Sequence, residues 1–206
     1  MRIVETLNFS MKEENDLKIV VVENVLKNSD SLLEQIKSMP KRVLIRDKPP
    51  AKSSYLSEED VIEYDLYRHD DFLDFVSSTY NMKLKTDPTM FGQGVAIMQK
   101  EDFLHKHFDQ PYNPNINRHR AINMLVYLGS YDGGIFEWFD LKGNVLWNIK
   151  VKHNSALLFN YNEFSQHGVT KIKSGIRVSL RHFFYEVDEL SEEEMHFLEK
   201  KYESIE

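Results

Sequence analysis

From Phe91 onward the chain breaks into short apolar segments separated by turn-forming residues, and this punctuation limits the folds open to it. Eight segments have strand length: Gly94–Met98, Phe103–Asp109, Ala121–Gly129, Gly134–Asp140, Val145–Val151, Ser155–Tyr161, Gln166–Ile172 and Arg177–Val187. Between them, Asp132-Gly133-Gly134, Lys142-Gly143-Asn144 and Lys173-Ser174-Gly175 bring residues that bend a backbone sharply. Regularly spaced short strands predict a sandwich or barrel, and eight of them suit a jelly roll.

The first part of the chain reads differently. Leu17 to Val25 is rich in β-branched residues and predicts a strand, and Ser29 to Ser38 a helix with Leu32, Leu33 and Ile36 on one face. Ser57-Glu58-Glu59-Asp60 has the form of a helix start, and Asp70 to Tyr80 carries Phe72, Leu73, Phe75 and Val76 at helical spacing. Pro40 to Ser54, with Pro49-Pro50 and several basic residues, reads as a loop, either a solvated surface or part of a substrate site. Ser191 and Glu194 frame a capping box, with Leu190 and Met195 as its staple, which predicts a closing helix. The expected organisation is a single domain over 1–206: a strand and helical buttress over 1–88, a jelly-roll core over 89–187 and a C-terminal helix over 188–206. That is a mostly β fold with flanking helices.

A chain of 206 residues can bury a full core. Its formal charge of −7 disfavours nonspecific binding to nucleic acid or acidic membranes. No apolar run approaches the roughly 20 residues of a membrane span, and Met1 to Asp16 lacks the apolar core of a signal peptide, so a cytoplasmic location is expected. Cysteine is absent, which removes disulfides, thiolate metal sites and a cysteine nucleophile together. A transition metal would have to be held by imidazole and carboxylate.

His107-Phe108-Asp109 offers such a pair, because residues two apart on a strand share a face. His105 has the same parity and is a rival ligand. His167 lies 58 residues beyond Asp109, and Arg177-Val178-Ser179 begins ten residues after that. Two imidazoles and one carboxylate hold three adjacent positions on a ferrous ion and leave three for chemistry. A turn at Lys173–Gly175 is expected to fold Arg177 into the strand adjoining His167, with Ser179 on the same face. A buried arginine needs an anionic partner. That partner is either a protein carboxylate or the carboxylate of a cosubstrate.

Phe103 to Asp109, Met124 to Gly129, Gly133-Gly134, His167-Gly168-Val169 and Gly175 to Leu180, in that order, resemble the iron(II)/2-oxoglutarate-dependent dioxygenases of the prolyl 4-hydroxylase-like branch. The resemblance implies a double-stranded β-helix, with His107, Asp109 and His167 as iron ligands. It implies that Arg177 pairs with the distal carboxylate of 2-oxoglutarate, helped by Ser179 and Tyr127. By parity Asn123 and Leu125 share the face of Tyr127. Met98 stands where many members carry a tyrosine near the cosubstrate, which bears on how that molecule is held. Related halogenases replace the carboxylate ligand with a small residue, so Asp109 implies hydroxylation.

The implied cofactors are Fe(II), 2-oxoglutarate as cosubstrate and O2, and the chemistry admits ascorbate as an accessory reductant. The expected substrate is a peptidyl residue of prolyl type or a small amino-acid-like molecule. Arg177-Val178-Ser179-Leu180-Arg181 lacks the arginine-asparagine-threonine-arginine signature of nucleic-acid demethylases, which together with the acidic charge disfavours a nucleic-acid partner. The loop Gln110 to Arg120 either covers the pocket mouth or merely connects strands, and Arg118 and Arg120 either meet an anionic substrate or are solvated. Trp138 and Trp147 are expected in the core. The contrasting reading is a cupin-like jelly roll that binds a sugar or metal without oxidising anything; it would use His105 and His107 and leave Arg177 and Ser179 without a role.

Overall fold

A computed structural model describes residues 8–14, 16–47, 50–63, 66, 72–87, 89, 92–162 and 164–187. The elements of the first part are β1 (Asn8–Glu14), β2 (Leu17–Glu23), α1 (Ser29–Ser38), β3 (Arg42–Asp47), β4 (Pro50–Leu56), α2 (Glu58–Glu63), α3 (Leu73–Tyr80) and β5 (Leu84–Thr86). Next come β6 (Val95–Met98), β7 (Phe103–His107), β8 (Tyr112–Asn113), β9 (Arg118–His119), β10 (Ile122–Leu128), β11 (Tyr131–Gly133) and β12 (Phe136–Phe139). The last are β13 (Val145–Ile149), β14 (Ser155–Asn160), β15 (His167–Val169), β16 (Ile172–Gly175) and β17 (Arg177–Glu186). The closing helix expected from Ser191 and Glu194 lies outside the described residues.

One curled sheet dominates, in the order β1-β2-β14-β10-β17-β6-β4-β7-β15-β12-β13. Its end strands do not pair with each other, so the architecture is an open half-barrel of more strands than the eight expected, not a closed eight-stranded one. The wall formed by β2, β14, β10, β17 and β6 is buried on both faces. On β10, Ile122, Met124, Val126 and Leu128 enter one apolar cluster, while Leu125 and Tyr127 enter a second. The period-two geometry of a strand divides them this way. The first cluster is roofed by Leu32, Leu33 and Ile36 of α1, Val61 of α2 and Val76 of α3. The second faces the opposing strands through Phe136, Trp138 and Val169. Helices on one side and a second wall on the other explain why β10 is apolar along its length except at Asn123.

The helix start at Ser57 is realised as a reciprocal cap: its Oγ accepts from the Asp60 N–H at 3.3 Å, and Asp60 Oδ2 accepts from the Ser57 N–H at 2.6 Å. Trp138 is fully buried, whereas Trp147 is only partly buried and packs against the second cluster.

Three expectations are corrected. Pro40 to Ser54 is not a loop: β3 and β4 pair as an antiparallel hairpin, and Pro50 stands first in its strand, where its missing N–H costs no ladder bond. Lys173-Ser174-Gly175 is not a bare turn but part of β16, which pairs with β11. Positive φ at Gly133 (73°) and Gly175 (81°) lets these backbones approach closely. Consequently β17 does not adjoin β15: it pairs with β10, β6 and β5, and faces β15 from across the half-barrel. Among the described residues no helix is long and apolar enough to cross a membrane.

Gly129 ends β10 at φ 98°, and a Cβ there would stand 2.2 Å from the Ile176 carbonyl oxygen. Its N–H donates to His153 Nδ1 at 2.9 Å. Gly129→Ala therefore meets both a left-handed backbone and a backbone clash, and is expected to cost at least about 2 kcal/mol. Chemical denaturation measures this; an unchanged midpoint and slope would refute the packing described for this strand end.

Candidate active site

His107 and His167 are register partners on β7 and β15, so their rings meet across the ladder with centroids 4.5 Å apart. Asp109 follows two residues after the end of β7 and completes the group. His107 Nε2 lies 3.4 Å from Asp109 Oδ1, and His167 Nε2 lies 3.5 Å from Asp109 Oδ2. One ligand atom from each residue lies within 4.8 Å of the others. Each ring donates from Nδ1 to a backbone carbonyl two residues back: His107 to His105 at 2.9 Å and His167 to Ser165 at 2.8 Å. Those bonds leave Nε2 as the bare nitrogen on both rings and turn it toward the carboxylate. His105 contributes its carbonyl and not its ring, which packs edge-on against Phe103.

His167 sits among Phe136, Trp138 and Phe159, with ring centroids at 4.8, 5.3 and 5.3 Å. Burial in this aromatic setting lowers its pKa to about 4 despite the neighbouring carboxylate, so near neutral pH it is an uncharged donor. Burial pushes the Asp109 carboxyl up, but His167, His107 and Arg181 outweigh it and hold the group well below the usual range. Asn123, fully buried on β10, donates to Asp109 Oδ2 at 2.6 Å and fixes the carboxylate's rotation. This bond crosses between the two walls of the half-barrel.

The facing strand supplies the cations. Arg177, Ser179, Arg181 and Phe183 alternate onto the cavity side of β17. The cavity has a volume of about 450 Å³ and is lined also by the three triad residues, Leu125, Phe136 and Val169. Arg177 is 3% exposed. Its guanidinium carbon stands 4.6 Å from the centre of the Tyr127 ring and its Nη1 meets Met98 Sδ at 3.0 Å. No protein carboxylate pairs with it among the described residues, its Nε is buried without a hydrogen-bond partner there, and the Tyr127 hydroxyl lies close enough to the guanidinium for a hydrogen bond. Ser179 is the register partner of Tyr127, and Met98 of Arg177. Tyr131 also lies close enough to Arg177 for a hydrogen bond, and burial raises its pKa.

Arg120 is neither solvated nor simply aimed at a ligand. It is 4% exposed, its guanidinium covers the Phe183 ring at 3.6 Å, and its Nη2 lies 3.7 Å from Asp87 Oδ2. Asp87, fully buried, also accepts from the Tyr185 hydroxyl at 2.8 Å and from Asn113 Nδ2 at 3.0 Å. This network ties the loop after Asp109, which folds into the small β8–β9 hairpin, to β17. Of the residues the sequence singles out, His107, Asp109, His167, Arg177 and Ser179 line one cavity, and Tyr127 lies under the Arg177 guanidinium. Sequence reasoning does not single out Tyr131, Arg181 or Asp87. The face parity of Arg177, Ser179 and Arg181 was a usable signal for Arg181; nothing local marks Tyr131 or Asp87.

The family model described as the 2OG-Fe(II) oxygenase superfamily matches residues 93–185. Comparison with curated proteins finds no sequence match. Among solved structures, the viral collagen prolyl hydroxylase of Paramecium Bursaria Chlorella virus-1 superposes with TM-score 0.54 at 16% identity, over 82% of this chain and 96% of that one. A Pseudomonas putida prolyl-4-hydroxylase superposes with TM-score 0.54 at 14% identity, over 88% of this chain and 94% of that one. HygX from Streptomyces hygroscopicus, solved with nickel and 2-oxoglutarate bound, gives 0.54 at 15% identity, over 82% and 83%. These structures share the fold, and the family model spans the strands that carry the triad and Arg177. Over residues 93–185, the segment that carries the triad and Arg177, the chain is similar to the 2OG-Fe(II) oxygenase superfamily.

Proposed function

We propose that the protein is an iron(II)- and 2-oxoglutarate-dependent dioxygenase that hydroxylates an unactivated C–H bond. The substrate is a peptidyl residue of prolyl type or a small amino-acid-like molecule, and succinate and CO2 are released. The observation that carries this reading is Arg177, a buried guanidinium without a carboxylate partner among the described residues, lining the same cavity as the triad. An uncompensated buried charge costs several kcal/mol, and a dicarboxylate cosubstrate removes that cost. A sugar-binding jelly roll has no use for this charge.

The donor set suits the metal. Two bare imidazole nitrogens and one carboxylate oxygen within 4.8 Å of one another form the donor type that selects non-haem Fe(II) with open positions. When bound, iron activates dioxygen as 2-oxoglutarate is oxidatively decarboxylated, and the substrate C–H becomes C–OH. His107 and His167 hold that ion through Nε2, each fixed in one tautomer by its carbonyl. Asp109 supplies the anionic ligand, and Asn123 keeps its oxygens aimed. Arg177 would hold the distal carboxylate of 2-oxoglutarate. The Tyr127 hydroxyl and Ser179 add neutral hydrogen bonds to the same group. Met98 stands in for the tyrosine many members carry, so Tyr131 provides the second phenol near the guanidinium. Leu125, Phe136 and Val169 keep the cavity apolar where water would quench the oxidant. Prolyl hydroxylases among the similar folds support the substrate class, as does a cavity within the roughly 300–1,000 Å³ typical of small-molecule sites.

Anaerobic titration of the Fe(II)-loaded protein with 2-oxoglutarate should give a weak visible charge-transfer band. Arg177→Ala is expected to weaken that binding at least about tenfold, and Arg177→Lys to recover part of it. Equal affinity in wild type and Arg177→Ala would show that the clamp is misassigned. Asn123→Ala should leave the circular dichroism spectrum intact while lowering Fe(II) affinity by about 10- to 100-fold. An unchanged metal affinity would mean that Asn123 does not orient the ligand.

A further inference from the structure

We propose that the Met98 thioether is an oxidation site through which hydrogen peroxide closes Arg177 to its anion. Peroxide converts the sulfur to a sulfoxide, whose oxygen takes guanidinium donors that would otherwise meet a carboxylate. The site itself stands on geometry, and its consequence for 2-oxoglutarate rests on the dioxygenase reading above.

Met98 is the last residue of β6 and the register partner of Arg177 on β17. Its Sδ accepts from Arg177 Nη1 at 3.0 Å. Both side chains line the cavity of about 450 Å³ that the triad also lines. Among the described methionines, Met98 alone has that setting. Met39, Met82 and Met124 pack in or against the first apolar cluster, and Met11 on β1 is 52% exposed. Exposure to bulk solvent ranks Met98, at 3%, below Met39, at 8%. Access through the cavity ranks them the other way, because peroxide is little larger than water and meets Met98 from inside.

A thioether sulfur carries two lone pairs. One accepts from the guanidinium, and the other attacks the nearer peroxide oxygen. An S–O bond forms as the O–O bond breaks. Sulfur is oxidised by two electrons and peroxide is reduced to water, the proton of the nearer oxygen passing to the departing hydroxide. Arg177 offers a fixed donor beside the sulfur, where that departing charge develops. The reaction turns a weak hydrogen-bond acceptor into a strong, polar one. The new oxygen then competes with a carboxylate for the same guanidinium and fills space at that end of the cavity.

The test loads the metal site with Zn(II), which has no redox chemistry of its own, and treats the protein with graded hydrogen peroxide. Peptide mass spectrometry follows the gain of one oxygen at Met11, Met39, Met98 and Met124. Met11 is expected to convert first, and Met98 at least tenfold faster than Met39 or Met124. Saturating 2-oxoglutarate should slow Met98 at least fivefold and leave Met11 unchanged. Calorimetry should find 2-oxoglutarate bound at least fivefold more weakly once Met98 is converted. Met98→Gln, which sets an amide oxygen near the same guanidinium, should bind it weakly before any treatment. Met98→Leu should keep its own untreated affinity within twofold after peroxide. Conversion of Met98 no faster than Met39, equal 2-oxoglutarate affinity before and after that conversion, or an equal loss in Met98→Leu would overturn the inference. Absence of 2-oxoglutarate binding to the untreated protein would instead defeat the dioxygenase reading, and the order of Met98 and Met39 would still decide whether peroxide reaches this sulfur.

Discussion

A positive charge at Arg177, sealed in the interior without a protein counter-ion among the described residues, is the constraint on which the rest of the site depends. Burying a guanidinium alone is costly, and cores do not retain such a group for packing. Here it lies over the Tyr127 ring and against Met98 sulfur, contacts that hold the group in place without neutralising it. In the proposed function that charge meets an anion that arrives from outside. Its position, across a cavity from two imidazoles and a carboxylate, suits an anion that also reaches a metal.

The half-barrel makes this possible by dividing labour between its two walls. β7 and β15 pair directly, so His107 and His167 face each other through the ladder rather than by side-chain reach. β17 runs in the opposite wall with Val178, Leu180 and Phe184 on its outer face and Arg177, Ser179 and Arg181 toward the cavity. Asn123 of β10 bridges the walls by its bond to Asp109. A second buried assembly, Asp87 with Arg120, Tyr185 and Asn113, holds the segment that follows Asp109 against β17. Geometry set by backbone pairing is stiffer than geometry set by side chains, which suits a reaction whose partners must be held to within a fraction of an ångström.

Much of the core was legible because its signal is local. Each of the eight segments from Gly94 to Val187 contains an observed strand, and period-two alternation places Arg177 with Ser179 and Asn123 with Tyr127 correctly. The β3–β4 hairpin was hidden by Pro49-Pro50 and by basic residues that read as solvated loop. The alternation of exposed Val43 and Ile45 around Leu44 was the available clue. The neighbour of β17 was misjudged because the glycines around Gly133 and Gly175 mark sharp bends, but do not say that β11 and β16 pair with each other before the chain crosses the half-barrel. Arg120 was unreadable for a different reason. Its partner Asp87 lies 33 residues away, and only the folded sheet brings them together. Sequence patterns report periodicity and turns, and they are silent on which distant polar groups meet.

The most direct test of the central claim is an anaerobic crystal structure of the protein with Fe(II) and 2-oxoglutarate. The account predicts one cation between His107 Nε2, His167 Nε2 and Asp109, with the distal carboxylate of 2-oxoglutarate on Arg177. A cation bound elsewhere, or Arg177 paired with a protein carboxylate while 2-oxoglutarate lies outside the cavity, would contradict it.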